Sequence, residues 1–185
     1  MRFSRLIALL LPLVLLQSCA LTRRTGENHI DCSKPAARCH EGRFGLTYQI
    51  MRDGAVEQDA INGSYLWESE HLSRFKTNER SHLVLSNVLG VRLAEIRQEY
   101  GSLTLKDNAG NLYLSDNWDT LFNGLFKLTL PGSAIAGWMH NASTDELPTL
   151  PADWIWEKRP GRVRLSNRNS DGFIRIDLIP NGNAP

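Results

Sequence analysis

The sequence predicts a mainly β fold, a curved antiparallel sheet covered by two short helices. Three observations predict it. From Phe44 onward, apolar residues alternate with polar ones in short runs, the period of two that half-buried strands show. Around Trp118 and again around Ile135 the apolar spacing changes to the i, i+3, i+4 of a helix face. No long helical stretch separates successive strands, and parallel strands need such a crossover, so the pairing is antiparallel.

The first residues read as a targeting segment. Arg2 and Arg5 precede an apolar run from Leu6 to Leu16, interrupted by Pro12, and the run is too short to span a membrane. Leu16-Gln17-Ser18-Cys19 then resembles a lipobox, with Gln17 bulkier than the usual small residue. On this reading residues 1–18 are a lipoprotein signal peptide and Cys19 is lipidated; ordinary cleavage nearby is the alternative. Each buried methylene contributes about 0.8 kcal/mol, so several acyl chains on Cys19 would anchor the chain durably where one is marginal. Ala20 rather than aspartate follows Cys19, which suits delivery to an outer membrane and a periplasm-facing position.

The 185 residues carry a formal charge of +1, and loss of residues 1–18 leaves the basic residues one short of the 20 acidic ones. Nothing in that balance suggests the basic face that nucleic acid requires. Length suits one domain, expected as a monomer at 42–180, after a polar tether over 19–41 and before a short tail at 181–185. Cys32 and Cys39 suit a disulfide in an oxidising compartment. A Cys/His site with His29 and His40 is the alternative, although the spacings match no standard zinc pattern. No metal and no cofactor is expected.

The elements follow in order. Gly42 to Ile50 is a first strand, with Phe44, Leu46, Tyr48 and Ile50 on one face. Arg52-Asp53-Gly54 turns into a second strand, Ala60 to Trp67, with a bulge expected near Gly63. Glu68 to Arg80 reads as a solvated connection. Leu83 to Ile96 is a hairpin whose turn, Asn87-Val88-Leu89-Gly90, is apolar where hairpins are normally polar. Two readings of Leu89 stand: packed against another element, or projecting toward something apolar. Leu103 to Leu114 is a second hairpin with a conventional polar turn at Asp107 to Gly110. Ser115 or Asp116 caps a helix bearing Trp118, Leu121, Phe122 and Leu125, and Pro131 opens another bearing Ile135, Trp138 and Met139. Three strands close the chain at Trp154 to Trp156, Arg162 to Leu165 and Phe173 to Ile179, with a turn at Asn167 to Gly172. The aromatic residues of the helices either fill a core or line an apolar cavity.

These residues resemble the family of the outer-membrane lipoprotein receptor and insertion protein LolB. The resemblance runs from about Gly42 to Trp138 and returns from Leu150 to Leu178. It rests on Gly42-Arg43-Phe44 opening the first strand, Trp67 ending the second, the turn Asn87-Val88-Leu89-Gly90, the polar hairpin Leu103 to Leu114, and a Leu130-Pro131 step before a helix bearing Trp138. The resemblance implies an unclosed antiparallel β-barrel capped by helices around an apolar cavity. It implies receipt of lipoproteins from a soluble LolA-like periplasmic carrier and their insertion among outer-membrane lipids. It places Val88 and Leu89 at the membrane-insertion tip. The residues expected to meet the cargo's acyl chains are Phe44, Leu46, Tyr65, Trp67, Leu83, Leu85, Leu93, Trp118, Phe122 and Trp138. Two features of the family are missing, an N-terminal amphipathic helix and a strand pair after the second helix, so a smaller sheet and a shallower cavity are expected.

An enzyme is not expected. The chain has no Gly-x-Ser-x-Gly elbow, phosphate loop or zinc-protease helix. His71, His82 and His140 lie apart, and Glu68, Glu70, Asp116 and Asp119 read as solvated charge. The alternative to lipoprotein transfer is an accessory or structural outer-membrane lipoprotein that keeps the fold without cargo.

Overall fold

A computed structural model describes residues 30–71, 79–141, 147–169 and 172–181. The expected signal peptide and Cys19 lie outside the described residues. Nine strands form one antiparallel sheet: β1 (Ala37–Arg52), β2 (Ala55–His71), β3 (Glu79–Asn87), β4 (Arg92–Glu99), β5 (Ser102–Asp107), β6 (Leu112–Ser115), β7 (Trp154–Arg159), β8 (Arg162–Asn169) and β9 (Gly172–Pro180). Their order across the sheet is β6-β5-β4-β3-β2-β1-β9-β8-β7. The sheet is therefore unclosed, with β6 and β7 as its end strands. Helices α1 (Trp118–Phe126) and α2 (Gly132–His140) bury their apolar sides in the same core as the sheet.

Alternation drives the sheet onto the lid. Phe44, Leu46 and Tyr48 of β1 are buried, as are Ile174, Ile176 and Leu178 of β9. In the next strands Leu83 pairs with Ile96, and neither is exposed at all. Burial of a side chain of that size contributes about 1.5–3 kcal/mol. Gly42 permits a close approach: a Cβ there would lie 2.4 Å from the Ile179 carbonyl oxygen and 2.7 Å from the Tyr65 hydroxyl. Here is a physical reason for a glycine at the head of the Gly-Arg strand.

The lid is a coupled pair. Asn117 caps α1, its side chain accepting from the amides of Asp119 and Thr120. Asp119 in turn accepts from the Ser133 amide and hydroxyl, both at 2.9 Å, so α1 supplies the cap that Pro131 cannot give α2. The far end of α2 is tied to the sheet through His140 and Glu79, 2.8 Å apart.

Several elements differ from expectation. β1 begins at Ala37, five residues before Gly42, because Ala37–Glu41 pair with Leu66–Glu70 of β2. The expected tether thus shares its last residues with the sheet, and Ile30 is buried as well. β2 runs from Ala55 to His71, so Glu68 belongs to a strand and not to a solvated connection. No register break occurs at Gly63; the irregularity lies between Leu85 and Ser86. The first helix is capped by Asn117, not Ser115 or Asp116. β8 and β9 extend into the expected turn, to Asn169 and from Gly172. Cys32 and Cys39 form a disulfide, which takes both thiols away from the alternative metal site.

Candidate functional site

Two places carry the residues singled out in the sequence: the β3–β4 turn and the space between sheet and lid. The turn is built on Asn87. Its side-chain oxygen accepts from the Leu89 amide at 2.9 Å and the Val91 amide at 3.0 Å. Its backbone closes the turn in both directions, with the Val91 carbonyl and the Gly90 amide, each at 2.9 Å. Gly90 takes φ +78°, the left-handed conformation that glycine adopts without a steric cost. On this frame Val88 is 75% exposed and Leu89 83%. The reading of Leu89 as packed against another element does not describe the structure.

A second turn shows how little of this depends on Val88 and Leu89. At the β5–β6 connection Asp107 accepts from the amides of Ala109 and Asn111, at 2.9 and 2.8 Å. The Gly110 amide bonds the Asp107 carbonyl, and Gly110 takes φ +88°. Position for position the two turns are alike, with Asn108-Ala109 where the other has Val88-Leu89. The geometry needs the capping side chain and the glycine. It does not need two apolar residues at the tip, and exposing them opposes solubility.

The interior gathers nearly all of the expected cavity residues. Phe44, Leu46, Tyr65, Trp67, Leu83, Leu85, Trp118, Phe122 and Trp138 are all buried in one cluster. Trp118 of α1 lies over Trp67 with ring centroids 5.7 Å apart, and Phe122 follows at 6.1 Å from Trp118. Leu93 differs in degree: it is only partly buried and packs against the cluster, whereas Ala94 and Ile96, paired with Leu85 and Leu83, are the fully buried apolar positions of β4. The cluster is also well filled. One void between lid and sheet, lined by Phe44, Leu85, Phe122 and Met139 among others, holds about 30 Å³, and another, at the α1–β5–β6 end between Leu105, Leu114, Leu121 and Leu125, holds about 390 Å³. The first is on the order of one water molecule and far less than an acyl chain needs. Among the described residues the aromatic side chains of the lid fill the core at that place.

A further cluster was not expected. His82 sits between two carboxylates, Nδ1 at 3.1 Å from Glu68 and Nε2 at 3.0 Å from Glu95. Arg97 donates to Glu95 at 2.9 and 2.6 Å, and Arg92 pairs with it as well. Glu68 is 2% exposed, so it is not the solvated charge the sequence implies. Burial would raise the Glu95 carboxyl, but the Arg97 hydrogen bond and the charges of Arg97, His82 and Arg92 hold it below the ordinary value. Glu68, His82 and Arg97 come from three neighbouring strands, and only the register brings them together. Among the described residues no group of three or more His, Cys, Asp or Glu is placed to hold a metal ion.

Comparison with known proteins agrees with this architecture. The family model described as outer membrane lipoprotein LolB matches residues 40–175. The outer-membrane lipoprotein LolB of Serratia proteamaculans (strain 568) is 26% identical over 136 residues, covering 70% of this chain and 62% of the relative. The match thus spans less than two thirds of that relative's length. The family model takes in both the exposed β3–β4 turn and the two-helix lid, and the chain belongs to the LolB family.

Proposed function

We propose that this chain is an outer-membrane lipoprotein, anchored through Cys19 and facing the periplasm. In this reading it accepts other lipoproteins from a LolA-like periplasmic carrier and passes them into the outer membrane. The observation that carries the reading is the β3–β4 tip. The same turn is built elsewhere in the chain with Asn108-Ala109, so Val88 and Leu89 are exposed for a reason outside the fold. A bilayer is the apolar phase that the anchor keeps within reach.

The mechanism is non-covalent. Cargo acyl chains leave the carrier, enter between lid and sheet, and pass to the bilayer down a gradient of affinity. No bond is made or broken, so no catalytic residue is required. Leu89 entering lipid gains about 1.5–3 kcal/mol, enough to bias the domain toward the surface and too little to hold it there. The packed centre sets one condition: the lid must move before acyl chains can enter the void beside Phe44 and Leu85.

The test is replacement of Leu89 by glutamate in cells. At equal abundance, lipoproteins should accumulate before the outer membrane, bound to a periplasmic carrier after depletion of the wild-type chain. Normal delivery would overturn the assignment of the tip. The filled interior favours a second reading, an accessory lipoprotein that holds no cargo. A lipoprotein or acyl chain co-purifying with the chain after gentle extraction excludes that reading.

A further inference from the structure

Among the described residues the interior holds three polar atoms that the core does not satisfy. They are the Tyr65 hydroxyl, the Trp67 indole N–H and Nε2 of His40. Tyr65 and Trp67 are each 2% exposed. The sheet places the three together. Tyr65 and Trp67 stand two apart on β2, and the register sets Gly42 beside Tyr65 and His40 beside Trp67. All therefore face one side of the sheet on neighbouring rungs.

Buried donors are nearly always paired, and leaving one unpaired costs about 1–3 kcal/mol. A core whose only task was packing would be better served by phenylalanine at either position. The cluster is also uncharged. Burial raises the pKa of the Tyr65 hydroxyl above its ordinary value, so it remains a donor. Burial first, then the charges of Arg38 and His140, lowers that of His40, which stays neutral. An uncharged donor set in an apolar interior suits an uncharged acceptor. A carboxylate or phosphate beside the Tyr65 hydroxyl and the Trp67 indole would be stripped of water, at a cost that neutral donors do not offset.

The apolar void lies alongside. Leu85, the cross-strand partner of Tyr65, lines it, as does Phe44. Trp118 of α1 covers Trp67. Displacement of the lid thus opens the void and uncovers the donors to the same entrant. We propose that Tyr65 and Trp67 hydrogen-bond the ester carbonyl oxygens of an acylated glycerol, so that the interior selects ester-linked lipid over bare hydrocarbon. The proposal rests on the reading that acyl chains enter between lid and sheet.

The test uses the full-length chain in a non-ionic detergent and two probes of equal chain length competing with a fluorescent acyl probe. One is 1,2-dipalmitoylglycerol; the other is its di-O-hexadecyl ether, which lacks the carbonyls. The wild type should prefer the ester by about three- to tenfold for each hydrogen bond. Tyr65→Phe and Trp67→Phe should each lose that factor for the ester and none for the ether. Tyr65→Phe should also leave the melting temperature unchanged or raised, because it removes an unpaired buried hydroxyl. Equal binding of both probes by the wild type overturns the proposal while leaving acyl entry standing. Equal loss of both probes in the variants assigns the two rings to packing and overturns it too. Binding of neither probe overturns acyl entry itself, and the proposal with it.

Discussion

The side-chain oxygen of Asn87 accepts a hydrogen bond from the Leu89 amide at 2.9 Å, so the residue that builds the turn also holds its most exposed side chain. Asn87→Ala removes this bond and the one from Val91. The expected loss is about 1–2 kcal/mol in urea unfolding, with faster hydrogen exchange at the Leu89 and Val91 amides. Asn87→Asp should restore both, because aspartate fills the same role at position 107.

Leu89 contributes to no part of the core. Leu89→Glu should change unfolding free energy by no more than about 0.5 kcal/mol, as exposed positions do. Sedimentation with phospholipid vesicles should fall in the same variant. A marked loss of stability would place the leucine in the fold and not at a membrane surface.

Glycine is required at some positions and merely tolerated at others. Gly42→Ala puts a methyl group into the Ile179 carbonyl and the Tyr65 hydroxyl, and the sheet must shift. A destabilisation of about 2–3 kcal/mol is expected from thermal or denaturant unfolding. Gly124 on α1 has open space where its Cβ would stand. Gly124→Ala should therefore stabilise the chain, by about 0.5–1 kcal/mol.

The ion cluster on β2, β3 and β4 makes stability depend on acidity. The Glu95 carboxyl is held below its ordinary value of 4.5 in the folded chain. Its contribution is present above the unfolded value and is lost as pH falls through the folded one. Glu95→Gln should lower stability near neutrality, by about 3 kcal/mol if His82, Arg92 and Arg97 lose their shared partner. The variant should then lose less than the wild type as pH falls below the ordinary carboxyl value of 4.5. Parallel melting curves across that range would deny Glu95 this role.

Much of the fold was legible because it follows from local alternation. Leu83 and Leu85 show the period of two directly, and the hairpin lies where they place it; on the return strand the same alternation left the face open, and Ala94 and Ile96 rather than Leu93 face the core. The start of β1 was not legible. Arg38, His40 and Glu41 carry no apolar alternation, and they are strand because β2 offers them partners. Glu68 misled for a related reason: an acidic residue in a charged stretch reads as solvated until the register sets His82 beside it. The exposure of Leu89 was partly legible, since its turn is apolar where the Asp107 turn is polar. The unpaired atoms of Tyr65 and Trp67 could not be read at all, because satisfaction of a donor depends on what the whole fold leaves near it.

The two end strands of the sheet have one further consequence. A closed barrel has a girth set by its number of strands and their stagger, and changing its bore means breaking hydrogen bonds. Here β6 and β7 end the sheet without meeting each other. The seam between them leaves curvature as a soft coordinate: the sheet can uncurl while every ladder from β6 to β7 stays intact. The bend of the sheet is then held by the two helices packed on it and not by a closed ring of strands.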